Sequence, residues 1–248
     1  RQGPALVLGS STTYATSTLQ DVADLTVASL DAVGQVWPYR WSRRATVQLP
    51  ADAHDMARML GVGGVTGGLG GLTTSEGSGS RGGQALRVTL NPTYFPTMVP
   101  LARQILLRHE LTHVAQHGLD LSGVPQWLTE GLAEHVGYEG SGVARSYVAA
   151  DLLAEVRAGT APTRFPRDAD FAFAAEPKVR TMAYRSGWTV CEYIADTYGE
   201  PSLMRFYRAV TVAPGSSRAR VERASRQVLS ATTAQLTAGW QSWLRGSL

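Results

Sequence analysis

The 248-residue sequence has few of the residues that several classes of protein depend on. Cys191 is the only cysteine, so neither a disulfide within the chain nor a cysteine-based zinc site can form. Its surroundings, SGWTVCEYIADTYG, are apolar at helical spacing, which indicates a buried structural thiol rather than a nucleophile. Long hydrophobic runs are also missing, and none approaches the roughly 20 residues that span a bilayer. The sequence therefore predicts no transmembrane segment in this chain.

Lysine is almost absent too, and Lys178 is the only one. Arginine accounts for the pI near 9.2, while the net charge is only +3. Scattered arginines without a recognition motif do not form a nucleic-acid surface, so no nucleic-acid partner is expected. The cluster Arg218, Arg220, Arg223 and Arg226 is interpreted as a solvated helix face. A basic, nearly cysteine-free chain that starts at Arg1 predicts an extracellular or cell-envelope protein.

Hydrophobic periodicity in the first half indicates both helices and strands. Helical spacing covers residues 12–37 and 51–61, whereas alternation predicts strands over 44–50 and 85–92. Between them, residues 61–83 carry eleven glycines with serine and threonine, which is typical of a mobile loop or an irregular strand pair.

The second half is predicted to be mainly helical. The expected helices are 97–118, 125–137, 143–157, 179–198, 201–210, 217–229 and 233–245. This pattern predicts an α+β fold, with a small N-terminal mixed β-sheet and helices followed by a mainly helical C-terminal half. We expect an N-terminal subdomain over 1–118 and a C-terminal helical subdomain over 119–248.

Four of the five histidines lie between Arg108 and Gly137, and two of them form the motif HELTH. His109 and His113 are four residues apart, so on a helix they lie on one face and can bind one ion. Glu110 can reach a water molecule beside that ion and act as a general base. Chance would produce H-E-x-x-H only about 0.004 times in this composition. The alternative is two core histidines with a salt-bridged glutamate.

Zinc bound by two histidines requires a third protein ligand and an open position for water. The candidates that follow the motif are His117, Glu130, Glu134 and His135. His117 would place three ligands along one straight helix, which cannot easily close a tetrahedron. Glu130 lies on the next predicted helix, and a helical hairpin would return it over the first, so the geometry favours Glu130. His117 and His135 are interpreted as structural or surface residues, and His54 as unrelated to the chemistry.

The segments HELTHVAQ and PQWLTEGLAEH together resemble the gluzincin zinc metallopeptidases, in the branch of M1 aminopeptidases and bacterial collagenases. The resemblance is specific over about 85–137 and looser over 179–210. It implies a zincin-like fold with the active-site helix between the two halves of the chain. It also implies Glu130 as the third zinc ligand, and Glu134 as a carboxylate that holds His109 through its other ring nitrogen.

The same resemblance implies a residue that stabilises the oxyanion, a tyrosine in many members. Tyr184, in RTMAYRSGW, occupies a similar place, with Arg180 and Arg185 as rivals. The alternative is that Tyr184 packs its ring and leaves its hydroxyl in water. The G-x-M-E-N segment of M1 aminopeptidases is not found, and the glycine-rich residues 61–83 stand in its place, which argues against aminopeptidase specificity. That segment is interpreted either as an edge strand and lid for an extended substrate or as a surface loop.

These residues predict a zinc-dependent peptidase that binds one Zn²⁺ and acts on a peptide or protein substrate. His109, His113 and Glu130 are the expected ligands, Glu110 the general base and Tyr184 the oxyanion-stabilising residue. Endopeptidase and exopeptidase activity both stay open. The alternative is a zinc-binding, catalytically silent, peptidase-like binding module. A third interpretation, a helical structural protein without metal, is distinguished by metal content alone.

Overall fold

The computed structural model describes residues 3–61, 70–75, 86–119 and 121–246. The chain divides into two compact units, Arg1–Gly118 and Leu119–Leu248. The first unit holds the β-sheet, and the second is built from helices in its described part, so the predicted α+β class is confirmed. Among the described residues, no helix offers the apolar length that a bilayer crossing requires.

The sheet of the first unit is made of β1 (Ala5–Gly9), β2 (Ala45–Leu49), β3 (Gly71–Ser75) and β4 (Leu86–Leu90). Its order is β1-β2-β4-β3, in which β1, β2 and β4 run parallel and β3 runs antiparallel to β4. Val7 pairs with Val47 and Val47 with Val88, and the latter two are fully buried. Such β-branched side chains pack well on the covered face of a pleated sheet.

Besides a short 3₁₀ helix (Phe95–Thr97), the described part of the first unit contains three α-helices: α1 (Thr16–Val36), α2 (Ala53–Leu60) and α3 (Pro100–Gln116). Helix α1 packs on β1 and α3 and buries Leu30 and Val33. Helix α2 starts after Asp52, whose side chain caps it, and ends at Gly61 in the left-handed conformation (φ 66°). Pro100 is the first residue of α3, a position where its missing N–H costs no hydrogen bond.

The second unit contains α4 (Gln126–Tyr138), α5 (Arg145–Val148), α6 (Ala150–Arg157), α7 (Pro177–Tyr198), α8 (Glu200–Val212), α9 (Ser217–Leu229) and α10 (Thr233–Gly246). Helices α4 and α7 cross closely at two glycines. A Cβ at Gly187 would lie 2.7 Å from the Trp127 carbonyl oxygen, and one at Gly131 would overlap the backbone of Gly187. Glycine at both positions therefore lets the backbones approach and fixes where α4 lies on α7.

Most of the predicted elements are confirmed, with helix ends shifted by at most four residues. Strand β1 is not among the predicted elements, because its sequence ALVLG contains no polar residue and so shows no alternation. The range 143–157 is helical as predicted but not continuous, since the chain forms two helices separated by a break at Ala149 (φ −94°, ψ 16°). Ion pairs from Arg145 to Glu192 and Asp196 of α7 position α5, and local sequence does not encode them.

The glycine-rich segment and the arginine cluster, both singled out in the sequence, differ in how much of them the structure describes. Within the glycine-rich segment, residues 71–75 form β3, whereas 62–69 and 76–85 lie outside the described residues, so the lid and loop interpretations of those parts stay predictions. The arginine cluster lies on α9, where Arg218, Arg223 and Arg226 are exposed, as expected for a solvated face.

Candidate metal centre

The HELTH motif lies in the last two turns of α3. Leu107 and Leu111 of this helix are fully buried, while His109 and His113 are half-buried. The Nε2 atoms of the two histidines are 3.1 Å apart. Two ligands of a tetrahedral zinc ion with bonds of about 2.05 Å would be about 3.4 Å apart. The predicted convergence of the two imidazoles is therefore present in α3, at a spacing close to that of a zinc site.

Gln116 orients one of these imidazoles, and sequence reasoning missed it. The Nδ1 of His113 lies 2.9 Å from Oε1 of Gln116, a side chain with no solvent exposure. Because an amide oxygen only accepts, this contact places the His113 proton on Nδ1 and leaves a lone pair on Nε2. The signal was available, since Gln116 stands three residues after His113 and so on the same side of the helix.

Glu130 joins the two histidines in a candidate ligand set. One ligand atom from each of His109, His113 and Glu130 lies within 4.8 Å of the other two. This span is longer than the tetrahedral edge of about 3.4 Å. Two imidazoles and a carboxylate are a donor set of catalytic zinc sites, so these residues fit such an ion. His117, by contrast, follows the end of α3 and is exposed.

Glu110 is directed away from solvent and contacts the sheet. It is only 5% exposed. The hydroxyl of Thr73, on β3, lies 2.6 Å from Oε2 of Glu110 and 3.0 Å from its backbone carbonyl oxygen. Sequence reasoning did not find Thr73, because it lies 37 residues before Glu110 in a segment without a recognisable pattern.

The residues assigned from the family resemblance occupy α4 and α7. Tyr184 is half-buried, and its ring packs edge to face on Phe171 at 5.1 Å, in keeping with the interpretation that it packs its ring. Burial and the nearby Glu134 carboxylate raise the pKa of Tyr138, against a hydrogen bond from Arg185 that lowers it. The proposed contact of Glu134 with His109 and the oxyanion role of Tyr184 stay predictions.

Arg180, one of the two arginines weighed against Tyr184, has a local contact. Its Nη1 donates to the backbone carbonyl of Phe173 at 3.1 Å, which ties the first turn of α7 to the segment that precedes the helix.

His135 has a structural role in the second unit, as its sequence interpretation favoured. It is 3% exposed, with Nδ1 2.6 Å from Oε1 of Glu192 and Nε2 2.8 Å from Oε2 of Glu200. Burial alone would lower the pKa of His135, but the hydrogen bonds and charges of the two glutamates raise it to about 10. Both ring nitrogens are therefore protonated and donate to carboxylates, which excludes His135 as a metal ligand.

Cys191 is fully buried, as predicted, and burial raises the pKa of its thiol well above the usual value. A thiol held neutral in this way is a poor nucleophile.

No protein-family model matches the chain, and a search of curated proteins finds no significant match.

Proposed function

We propose that the protein is a zinc-dependent peptidase that hydrolyses peptide bonds with a metal-activated water. The observation that carries the proposal is the ligand set of His109, His113 and Glu130, whose donor atoms lie within 4.8 Å of one another, with Glu110 next to the first ligand. The resemblance of HELTHVAQ and PQWLTEGLAEH to gluzincins supports the same function from the sequence.

His109 and His113 would bind zinc through Nε2 and Glu130 through a carboxylate oxygen. When bound, zinc polarises the peptide carbonyl and lowers the pKa of a coordinated water. Gln116 supports this role of His113, because it keeps the proton on Nδ1 and the lone pair on Nε2.

Glu110 would take the proton of the attacking water and later transfer it to the leaving amine. Its burial supports this role, because a carboxylate that is shielded from bulk water interacts strongly with charges that develop beside it. Tyr184 would donate to the oxyanion of the tetrahedral intermediate.

Strand β3 supports a peptide as substrate. Within the described part of the chain, β3 pairs only with β4, so one of its edges carries no strand partner there. An extended peptide can add to such an edge through backbone hydrogen bonds, largely independently of its side chains. A peptide or protein substrate and an extracellular or cell-envelope location stay predictions of the sequence.

The test is mass-spectrometric analysis of a defined peptide mixture after incubation with zinc-loaded wild type and with Glu110→Gln. We expect the wild type to cleave, and Glu110→Gln to bind one zinc but to lose cleavage, since the amide cannot accept the proton. The positions of the cuts would distinguish endopeptidase from exopeptidase activity.

Two results would contradict the proposal in different ways. If the wild type binds one zinc and cleaves nothing, a catalytically silent zinc-binding module becomes the better description. If Glu110→Gln cleaves at the wild-type rate, the general-base assignment is wrong.

A further inference from the structure

The carboxylate of Glu110 has a defined partner in the sheet. Among the described residues, Thr73 is the one side chain that donates a hydrogen bond to it, at 2.6 Å from Oε2. This distance is that of a short, well-formed O–H···O hydrogen bond. Because Glu110 is 5% exposed, little water is available to replace that donor.

The position of the Thr73 hydroxyl is fixed by the sheet rather than by α3. Thr73 pairs with Val88, a fully buried residue of β4, and β-branched side chains have restricted χ1 rotation. Its hydroxyl also lies 3.0 Å from the backbone carbonyl oxygen of Glu110, so it is close to both the main chain and the carboxylate of this residue. A Cβ at Gly71 would lie 3.6 Å from Cγ of Glu110, so β3 is in van der Waals contact with this side chain.

We propose that Thr73 is a positioning residue for the hydrolysis proposed above, on which this inference rests. Its hydroxyl holds Oε2 of Glu110, fixes the plane of the carboxylate and leaves Oε1 as the oxygen that accepts the proton of the water. Such fixation matters because a general base must lie within hydrogen-bond reach of the proton it removes. The strand that supports an extended substrate thus also orients the catalytic carboxylate.

The chain provides a matched set of variants for the test. Thr73→Val removes the hydroxyl and keeps the shape, and Thr73→Ser restores the hydroxyl. Thr46→Val makes the same chemical change in β2, a strand that has no part in the proposed site. For each variant, kcat and KM are measured on a peptide that wild type cleaves, together with bound zinc and the Tm.

We expect Thr73→Val to lower kcat about 10- to 100-fold, with KM and bound zinc within about twofold of wild type. Thr73→Ser should recover kcat to within about threefold, and Thr46→Val should leave it unchanged. A purely structural role of the hydroxyl would instead lower the Tm or the bound zinc of Thr73→Val together with kcat, and that result would overturn the positioning role.

Wild-type kcat in Thr73→Val, or an equal loss in Thr46→Val, would overturn the role of Thr73 while leaving the peptidase proposal intact. A zinc-loaded wild type that cleaves no peptide would overturn both.

Discussion

The buried His135 cation predicts a specific dependence of stability on pH. The pKa of His135 is raised from 6.5 to about 10 in the folded protein, where Glu192 and Glu200 accept from its two ring nitrogens. Arg145 and Asp196 extend the network through ion pairs. Because the folded pKa is the higher one, this stabilisation is complete below about pH 6.5, the unfolded value, and is lost as the pH rises toward 10.

The size of the effect follows from the pKa shift. Each pH unit between the two pKa values changes the free energy of unfolding by about 1.4 kcal/mol, and the full shift corresponds to about 5 kcal/mol. Between these pKa values the folded state keeps one proton that the unfolded state has lost. The free energy of unfolding should therefore fall with rising pH.

Urea unfolding followed by circular dichroism, with a chelator present, measures this slope from pH 6.5 to 9.5. His135→Gln should be less stable than wild type at pH 6.5 and should lose the slope of about −1.4 kcal/mol per pH unit. The exposed His54→Gln variant is the control and should keep the wild-type slope. Equal slopes in wild type and His135→Gln would refute the assignment of a charged imidazole between the two glutamates.

Three further predictions concern helix packing and the candidate metal centre. Gly131→Ala should lower the free energy of unfolding by about 1–3 kcal/mol, because its methyl group would overlap the Gly187 backbone. Gly246→Ala, with no atom within 4 Å of the added Cβ, should stay within about 1 kcal/mol of wild type in the same denaturant titration. Gln116→Leu should weaken zinc binding about 10- to 100-fold, because the proton on Nδ1 of His113 loses its acceptor. A competition titration with a chromophoric chelator measures the zinc affinity, and an unchanged affinity would contradict the orienting role of Gln116. Zinc at about 100 times its Kd should raise the free energy of unfolding by about 2.7 kcal/mol, and a zinc-independent Tm in calorimetry would argue against a native site.

Much of the helical architecture could be predicted because helices are local structures. Helix α9 has the predicted ends, and α2 ends at Gly61, as its sequence indicated. The break at Ala149 could not be predicted in the same way, since Arg145 reaches partners 47 and 51 residues further along the chain. Strand β1 likewise depends on β2, whose paired residues lie 40 positions away.

The sequence by itself determined that His109 and His113 lie on one face of a helix, because the helical repeat places residues four positions apart on the same side. Glu110 follows directly after the first of these histidines. The sequence also singled out Glu130 among the candidate ligands. Only the tertiary structure decided which distant groups contact Glu110 and His135. Thr73 contacts Glu110 across 37 residues, and Glu192 and Glu200 contact His135 across 57 and 65 residues. The physical reason is that hydrogen bonds between distant segments depend on strand register and helix packing, which no local pattern of residue types specifies.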